Sequence, residues 1–183
     1  MDTIEAIHTR RSIPRTVGPA PTRDEVSQLL HAAVMAPNHH LTEPWRFVVL
    51  SGAALSELGA VLAESARDAG ANAEAARRLP LLAPTIVAVI DRAGNDHHVP
   101  ASDEHYAVGA AMQNLLLAAH ATGLGAMIRT GIHVRSSRVR EHLGVKPDEQ
   151  IAGFVYLGRI PDDAPPGSSR RTPPEDLTEW RTD

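Results

Sequence analysis

The chain contains no cysteine, few aromatic residues and no long uninterrupted apolar run. Without cysteine it can form no disulfide, no thiolate metal site and no cysteine nucleophile. Its most apolar stretch is interrupted by Gln113, Asn114 and His120, which argues against a membrane span. The N-terminus lacks the apolar core of a secretory signal, so we expect a cytoplasmic protein.

Strong positive charge and the common nucleotide-binding motifs are also missing. The formal net charge is −4, so nucleic acid is an unsuitable partner. The chain has neither a Gly-x-Gly-x-x-Gly motif after its first strand nor a Walker lysine, and it has no Gly-x-Ser-x-Gly elbow. Its 183 residues predict one globular domain over 1–183, with a proline-rich C-terminal arm from about 161 to 183.

The stretch Glu104–Gly131 is the most informative part of the chain. Six apolar residues at three- and four-residue spacing predict a buried helix: Val108, Ala111, Met112, Leu115, Leu116 and Ala119. The other faces carry few polar residues, so we expect burial on nearly every side. Gly123 ends this helix, and Leu124–Ile128 is typical of a buried strand. The strand delivers Arg129 and Thr130 to its end, where Arg129 either enters a pocket or extends into solvent.

Two arginines and a serine follow the first predicted helix, Thr3–Thr9. Guanidinium groups pair with phosphate, and a serine hydroxyl adds a hydrogen bond. Arg10, Arg11 and Ser12 are therefore a candidate anion site, and the alternative is a solvated basic patch near the terminus.

The second helix leads into a loop between two prolines. Thr22 begins a capping box that predicts a helix over Asp24–Met35. The loop 36–45 is dense in polar groups, including His39 and His40. We expect these adjacent side chains to point in opposite directions, and no third ligand accompanies them, so we predict no metal site.

The rest of the chain alternates helices and strands. Runs rich in β-branched residues predict three further strands: Arg46–Leu50, Thr85–Ile90 and Ile151–Leu157. Gly52 begins a helix to about Ala66, Arg67–Arg78 is typical of a mobile or helical surface excursion, and Val134–His142 is typical of an amphipathic helix. Trp180 predicts that the arm lies on a surface, either its own or that of a partner.

Short motifs occur in one order along nearly the whole chain: Arg10-Arg11-Ser12, Ala36-Pro37, Pro44-Trp45-Arg46-Phe47, Met112-Gln113-Asn114, Gly123-Leu124-Gly125, Arg129-Thr130-Gly131 and Gly153-Phe154-Val155-Tyr156-Leu157-Gly158. In this order the chain resembles the nitroreductase family of FMN-dependent oxidoreductases, particularly its short YdjA-like branch. The resemblance implies an α+β, nitroreductase-like fold with a central, mainly antiparallel sheet wrapped by helices. It also implies an intertwined homodimer with FMN at the interface and an arm that reaches over the partner.

The resemblance assigns three groups of residues to FMN. Those at the phosphate and ribityl chain are Arg10, Arg11 and Ser12, with a tail cation supplied by Arg170 or Arg171. Those that approach the flavin from the other subunit are Met35, Pro37, Asn38 and His39. Those along the isoalloxazine or phosphate side are Ile128, Arg129 and Thr130.

The implied activity is an FMN-dependent NAD(P)H oxidoreductase. Hydride would pass from NADH or NADPH through FMN to a small electrophile, such as a nitroaromatic or quinone, in a ping-pong cycle that needs no catalytic side chain. Leu41 and Glu43 stand where Asn and Gln are common, and an ionised Glu cannot donate to a flavin carbonyl. The alternatives are a non-enzymatic flavin-sequestering protein and a flavin enzyme with another substrate, such as a dehydrogenase or dehalogenase.

Overall fold

The computed structural model describes residues 1–94, 98–164 and 170–182. The helices in these ranges are α1 (Thr3–Thr9), α2 (Arg23–Ala33), α3 (Ala53–Asp68), α4 (Ala73–Arg78), α5 (Ala101–Ala121) and α6 (Ser137–His142). The strands are β1 (Trp45–Ser51), β2 (Thr85–Asp91), β3 (Leu124–Arg129) and β4 (Gln150–Arg159). None of these helices is long and apolar enough to cross a bilayer.

The four strands form one sheet in the order β1-β2-β4-β3, and every neighbouring pair is antiparallel. The predicted α+β fold with a mainly antiparallel sheet is therefore confirmed. Alternate residues of the inner strands face opposite sides of the sheet. Val87 and Val155 pack in the cluster with α2 and α5, whereas Ile86 and Tyr156 pack in the cluster with α3. The prediction of a single domain over 1–183 stays a prediction.

Helix α5 packs against one face of the sheet. All six residues of its predicted apolar stripe are buried. Its opposite side is open within one chain: Tyr106 is 76% exposed, and Gly109 and Gln113 are also exposed. The expected burial of α5 on nearly every side therefore requires surface from a partner chain and stays a prediction.

Three predicted segments have different bounds in the structure. Helix α2 ends at Ala33, so Met35 lies outside it. Arg67–Arg78 is divided: α3 continues to Asp68, and α4 begins at Ala73 because the side chain of Asn72 caps it. Val134–His142 is not one helix, because Ser136 is extended and separates a 3-10 turn from α6.

A buried carboxylate joins β1 to the turn before β4. Glu149 accepts hydrogen bonds from Arg46 Nε at 2.9 Å, from Arg46 Nη2 at 2.6 Å and from the backbone N–H of Lys146 at 3.0 Å. Its side chain is only 2% exposed. The bonds from Arg46 lower the pKa of Glu149 to about 2; burial opposes this shift, and the Lys146 N–H adds to it. The charged form is therefore strongly favoured in the folded state.

This low pKa predicts an acid-dependent loss of stability. The carboxylate contributes fully above its usual pKa of 4.5, and its contribution falls as the pH drops from there toward about 2. At pH 7 the Glu149→Gln variant loses roughly 2 kcal/mol of unfolding free energy, because a charge-assisted bidentate pair is lost. Urea unfolding from pH 7 to pH 2.5 measures both effects.

The matched control is Glu57→Gln, because Glu57 is exposed on α3. The unfolding free energy of Glu57→Gln should depend on pH as that of the wild type does. For Glu149→Gln this dependence should be flatter below pH 4.5. Equal curves for the wild type and Glu149→Gln across this range would contradict the assigned ion pair.

Candidate functional site

Three arginines gather near the C-terminal end of α1. Arg10 and Arg11 follow the helix directly and are half-buried, while Ser12 beside them is exposed. Burial, and then the charges of Arg171 and Arg11, lower the pKa of Arg10 from its usual value. Within the described residues, the buried Nη1 atom of Arg10 has no hydrogen-bond partner. Like charges held together around an unpartnered donor are a suitable place for an anion.

The C-terminal end of α5 borders this arginine cluster. His120 Nε2 lies 2.8 Å from the Thr9 hydroxyl. Burial, and then the charges of Arg10 and Arg11, lower the pKa of His120. The C-terminal end of α5 therefore adds a neutral imidazole beside the arginines. The arginine cluster lies close to His120, near the last residue of α5.

The end of β3 opens into a cavity of about 330 Å³ on the α3 side of the sheet. Its lining includes the three residues assigned to the flavin ring: Ile128, Arg129 and Thr130. Arg129 lies 5.1 Å from the centroid of the Tyr156 ring, and its Nη2 donates to the Pro14 carbonyl at 2.8 Å. Of the two alternatives for Arg129, a pocket or extension into solvent, the structure favours the pocket.

Buried polar atoms mark the wall of this cavity. Arg129 Nε and His133 Nδ1 are buried and have no partner within the part of the chain that the structure describes. Burial lowers the pKa of His133 and raises the pKa of Tyr156 to about 12, with the charge of Arg129 opposing the latter shift. His133 and Tyr156 are therefore neutral at pH 7, so Arg129 carries the positive charge of this wall.

The segment from Met35 to His39 leads from the end of α2 to the N-terminal end of α5. Met35 is 78% exposed, Pro37 and His39 are exposed, and Asn38 is half-buried. The Asn38 side-chain oxygen accepts from the Glu43 N–H at 2.9 Å. His39 Nδ1 lies 3.2 Å from Asp103 Oδ2, in the first turn of α5.

The expectation that His39 and His40 point in opposite directions is wrong. Their rings stack with centroids 4.6 Å apart and planes at 17°. The segment is a 3-10 turn rather than an extended loop, and His40 has φ of 53°, which turns both rings to one side. Even so, no group of three or more potential ligand side chains within residues 1–94, 98–164 and 170–182 could hold a metal ion.

The two ends of α5 separate His39 from the arginine cluster. Asp103 marks the His39 end and His120 marks the arginine end, and these residues are 17 positions apart. At 1.5 Å per residue, the two ends are about 25 Å apart. One chain therefore gathers Arg10 and Arg11 near Arg171, and Ile128 with Arg129 and Thr130, but it keeps His39 far from the arginine cluster.

The C-terminal arm contributes an arginine, and none of its described residues is fully buried. Arg171 acts on Arg10 and donates to the Arg170 carbonyl at 2.8 Å. Residues 170–182 are exposed, and Trp180 is 80% exposed. Residues 165–169 and 183, which belong to the predicted arm, lie outside the described residues.

Sequence patterns alone missed two contributors to these groups. His120 was visible as a polar interruption of an apolar helix, which was a usable signal. His133 gave no signal, because its burial depends on the 3-10 turn that follows β3.

Comparisons with known proteins identify the family of this chain. A family model described as "Nitroreductase family" matches residues 7–159. The chain is 36% identical over 161 residues to "Putative NAD(P)H nitroreductase YdjA" of Escherichia coli (strain K12), covering 86% of this chain and 88% of that protein.

Solved structures match this chain over its whole length. A nitroreductase-like family protein from Bacillus cereus superposes with a TM-score of 0.89 at 25% identity, covering 100% of this chain and 97% of that one. A structure from Desulfovibrio desulfuricans, titled a "putative nitroreductase in complex with fmn", gives 0.77 at 28% identity, covering 100% and 99%. By the match of its sequence to the family model and of its fold to these structures, this chain belongs to the nitroreductase family.

Proposed function

We propose that this protein is an FMN-dependent NAD(P)H oxidoreductase. The observation that carries the proposal is the buried Nη1 of Arg10, which has no partner among the described residues and lies near two further arginines. The relative named for NAD(P)H and the similar structure containing FMN support it. Bound FMN would supply the hydride chemistry, and the protein would bind, orient and tune it.

The arginine cluster fits the phosphate of FMN. A phosphate monoester carries close to two negative charges and three acceptor oxygens near neutral pH. It would offset the repulsion among Arg10, Arg11 and Arg171 and supply an acceptor to Arg10 Nη1, while the exposed Ser12 hydroxyl adds a further donor. The residues present therefore suit this group.

The wall at the end of β3 fits the flavin ring. Arg129 is held over Tyr156 and by the Pro14 carbonyl, and it still has a buried N–H without a described partner. A guanidinium fixed beside an aromatic system stabilises negative charge that develops on it, at no cost of reorganisation. In our proposal Ile128 and Thr130 flank the same ring.

The site is completed by a second copy of the chain. A two-fold axis across the open side of α5 would bring the His39 end of one copy beside the arginine end of the other. The open side suits such packing, because Gly109 is exposed there and Leu117 is only half-buried. The chain also exposes large apolar side chains, of which Tyr106 lies on α5 itself: Ile4, Ile7, Met35, Tyr106 and Trp180. The partner subunit's Met35–His39 would then reach the flavin, and its arm would cover apolar surface.

A second candidate, a non-enzymatic flavin-sequestering protein, rests on the loop before β1. Leu41 and Glu43 are both exposed and have positive φ values of 54° and 47°. Such conformations are uncommon and strained for residues other than glycine. Glu43 also brings a carboxylate to a segment that we place near the partner's flavin, where negative charge opposes reduction.

The arginine cluster yields a prediction about cofactor affinity. Arg10→Ala and Arg171→Ala should each raise the Kd for FMN by roughly tenfold or more, because each removes a charge-assisted contact to phosphate. Titration of flavin fluorescence measures this. Arg181→Ala is the control, since Arg181 lies in the same arm but pairs with Glu179. Unchanged FMN affinity in the Arg10→Ala, Arg171→Ala double variant would remove the assigned phosphate site.

The proposed reaction yields a prediction about electron transfer. The FMN-loaded protein should lose its flavin absorbance on anaerobic addition of NADPH or NADH and regain it with a nitroaromatic or quinone. A ping-pong cycle gives parallel double-reciprocal plots when NAD(P)H and acceptor are both varied. Bound FMN that neither donor bleaches would favour the sequestering function, and intersecting plots would contradict the ping-pong order.

A further inference from the structure

A second, more polar cavity of about 640 Å³ adjoins the end of β3. It is lined by Asp91, His105, Thr130, Val134, Arg135, Arg140, Gln150, Ile151 and Ala152. Thr130 also lines the cavity that we assign to the flavin ring. The polar cavity therefore lies next to the proposed flavin site and on the same strand end.

The acidic side chain of this cavity is already engaged. Asp91 is 5% exposed and accepts from the Ala93 N–H at 2.8 Å. Its Oδ2 also contacts His105 Nδ1 at 2.7 Å and accepts from Gln150 Nε2 at 3.0 Å. This arrangement leaves Nε2 of the His105 ring for other contacts.

The two arginines of the cavity, Arg135 and Arg140, have no carboxylate partner in the part of the chain that the structure describes. Arg140 donates to the Glu149 and Lys146 carbonyls at 2.7 and 2.8 Å, so its bonds hold it in place without neutralising its charge. Arg135 is exposed and, among the described residues, takes part in no hydrogen bond or ion pair. The cavity is therefore lined by two guanidinium charges and by one carboxylate, Asp91, that already has hydrogen-bond partners.

We propose that this cavity binds an anionic oxygen group, a carboxylate or phosphate, carried by a substrate of the flavin reaction, with Arg135 as the residue that determines specificity. A planar guanidinium pairs with such groups through two parallel N–H donors. The Thr130 hydroxyl supplies a further donor at the side nearer the flavin site. The proposal rests on the proposed function, because it assigns the cavity to that reaction.

Two sources can supply this chemistry: an acidic acceptor or the 2′-phosphate of NADPH. The first probe pair is 4-nitrobenzoate against neutral 4-nitrobenzamide, and the second is 2′-AMP against adenosine. Calorimetric titration of the full chain without NAD(P)H measures their binding in the absence of turnover. Titrations with and without added FMN separate a missing anion site from a missing flavin site.

The test compares the wild type with Arg135→Gln and with Arg138→Gln. Among the described residues the Arg135 side chain has no hydrogen bond or ion pair to lose, so its replacement should leave folding intact. Arg138 lies nearby on α6, pairs with Asp68 and Glu64, and does not line the cavity, so its variant controls for net charge.

We expect Arg135→Gln to weaken binding of 4-nitrobenzoate, 2′-AMP or both by roughly tenfold, with the neutral probes and Arg138→Gln unaffected. An effect on 4-nitrobenzoate alone identifies an acidic acceptor, and an effect on 2′-AMP alone identifies NADPH. Arg135→Lys should retain part of the affinity, since lysine keeps the positive charge but lacks the two parallel N–H donors of the guanidinium. No weakening of either anion, or an equal effect of Arg138→Gln, would overturn the proposal.

Discussion

The length of α5 is the constraint on which the proposed site depends. One side of this helix packs on the sheet, and its two ends hold different functional residues. His39 contacts Asp103 at one end, and Arg10 acts on His120 at the other, about 25 Å away. No local rearrangement closes that distance without unfolding the helix. If both groups serve one flavin, two chains must supply them, and the open side of α5 is the surface on which they would meet.

Uncompensated positive charge is the second recurring feature. Arg10 and Arg129 each keep a buried N–H without a described partner, although buried donors are nearly always paired in native proteins. Arg46 differs from them, because it donates to both carboxylate oxygens of Glu149 and this ion pair stabilises the fold. We attribute the unpaired arginines to ligand binding, since an anion would remove both the repulsion and the unmet hydrogen bond.

Local patterns predicted most of the fold. The capping box of Thr22 and Glu25 forms as expected, because both of its bonds lie within four residues. The buried stripe of α5 and the four strands likewise follow from spacing and β-branched content. The break at Ser136 was missed because it depends on the turn after β3, and the stacking of His39 on His40 was missed because a positive φ leaves little trace in the sequence.

The site was predictable only through the ordered motifs that the chain shares with its family. Spacing alone left Arg10, Arg11 and Ser12 open as either an anion site or a solvated patch. The approach of Arg171 to Arg10 joins residues 161 positions apart, which no local pattern reports. All of the assignments to FMN stay predictions, and those of Met35–His39 and Arg170 also concern a second chain or the contacts of the arm.

A heterodimer experiment tests the two-chain site most directly. One subunit carries Arg10→Ala and Arg171→Ala, the other carries Met35→Ala and His39→Ala, and two different affinity tags allow the mixed dimer to be purified. Each variant alone should bind FMN weakly. The mixed dimer should regain one tight site, because one of its two FMN sites combines the unaltered arginines of one subunit with the unaltered Met35 and His39 of the other. A mixed dimer that regains no tight site, or a Met35→Ala, His39→Ala variant that binds FMN normally, would contradict the account.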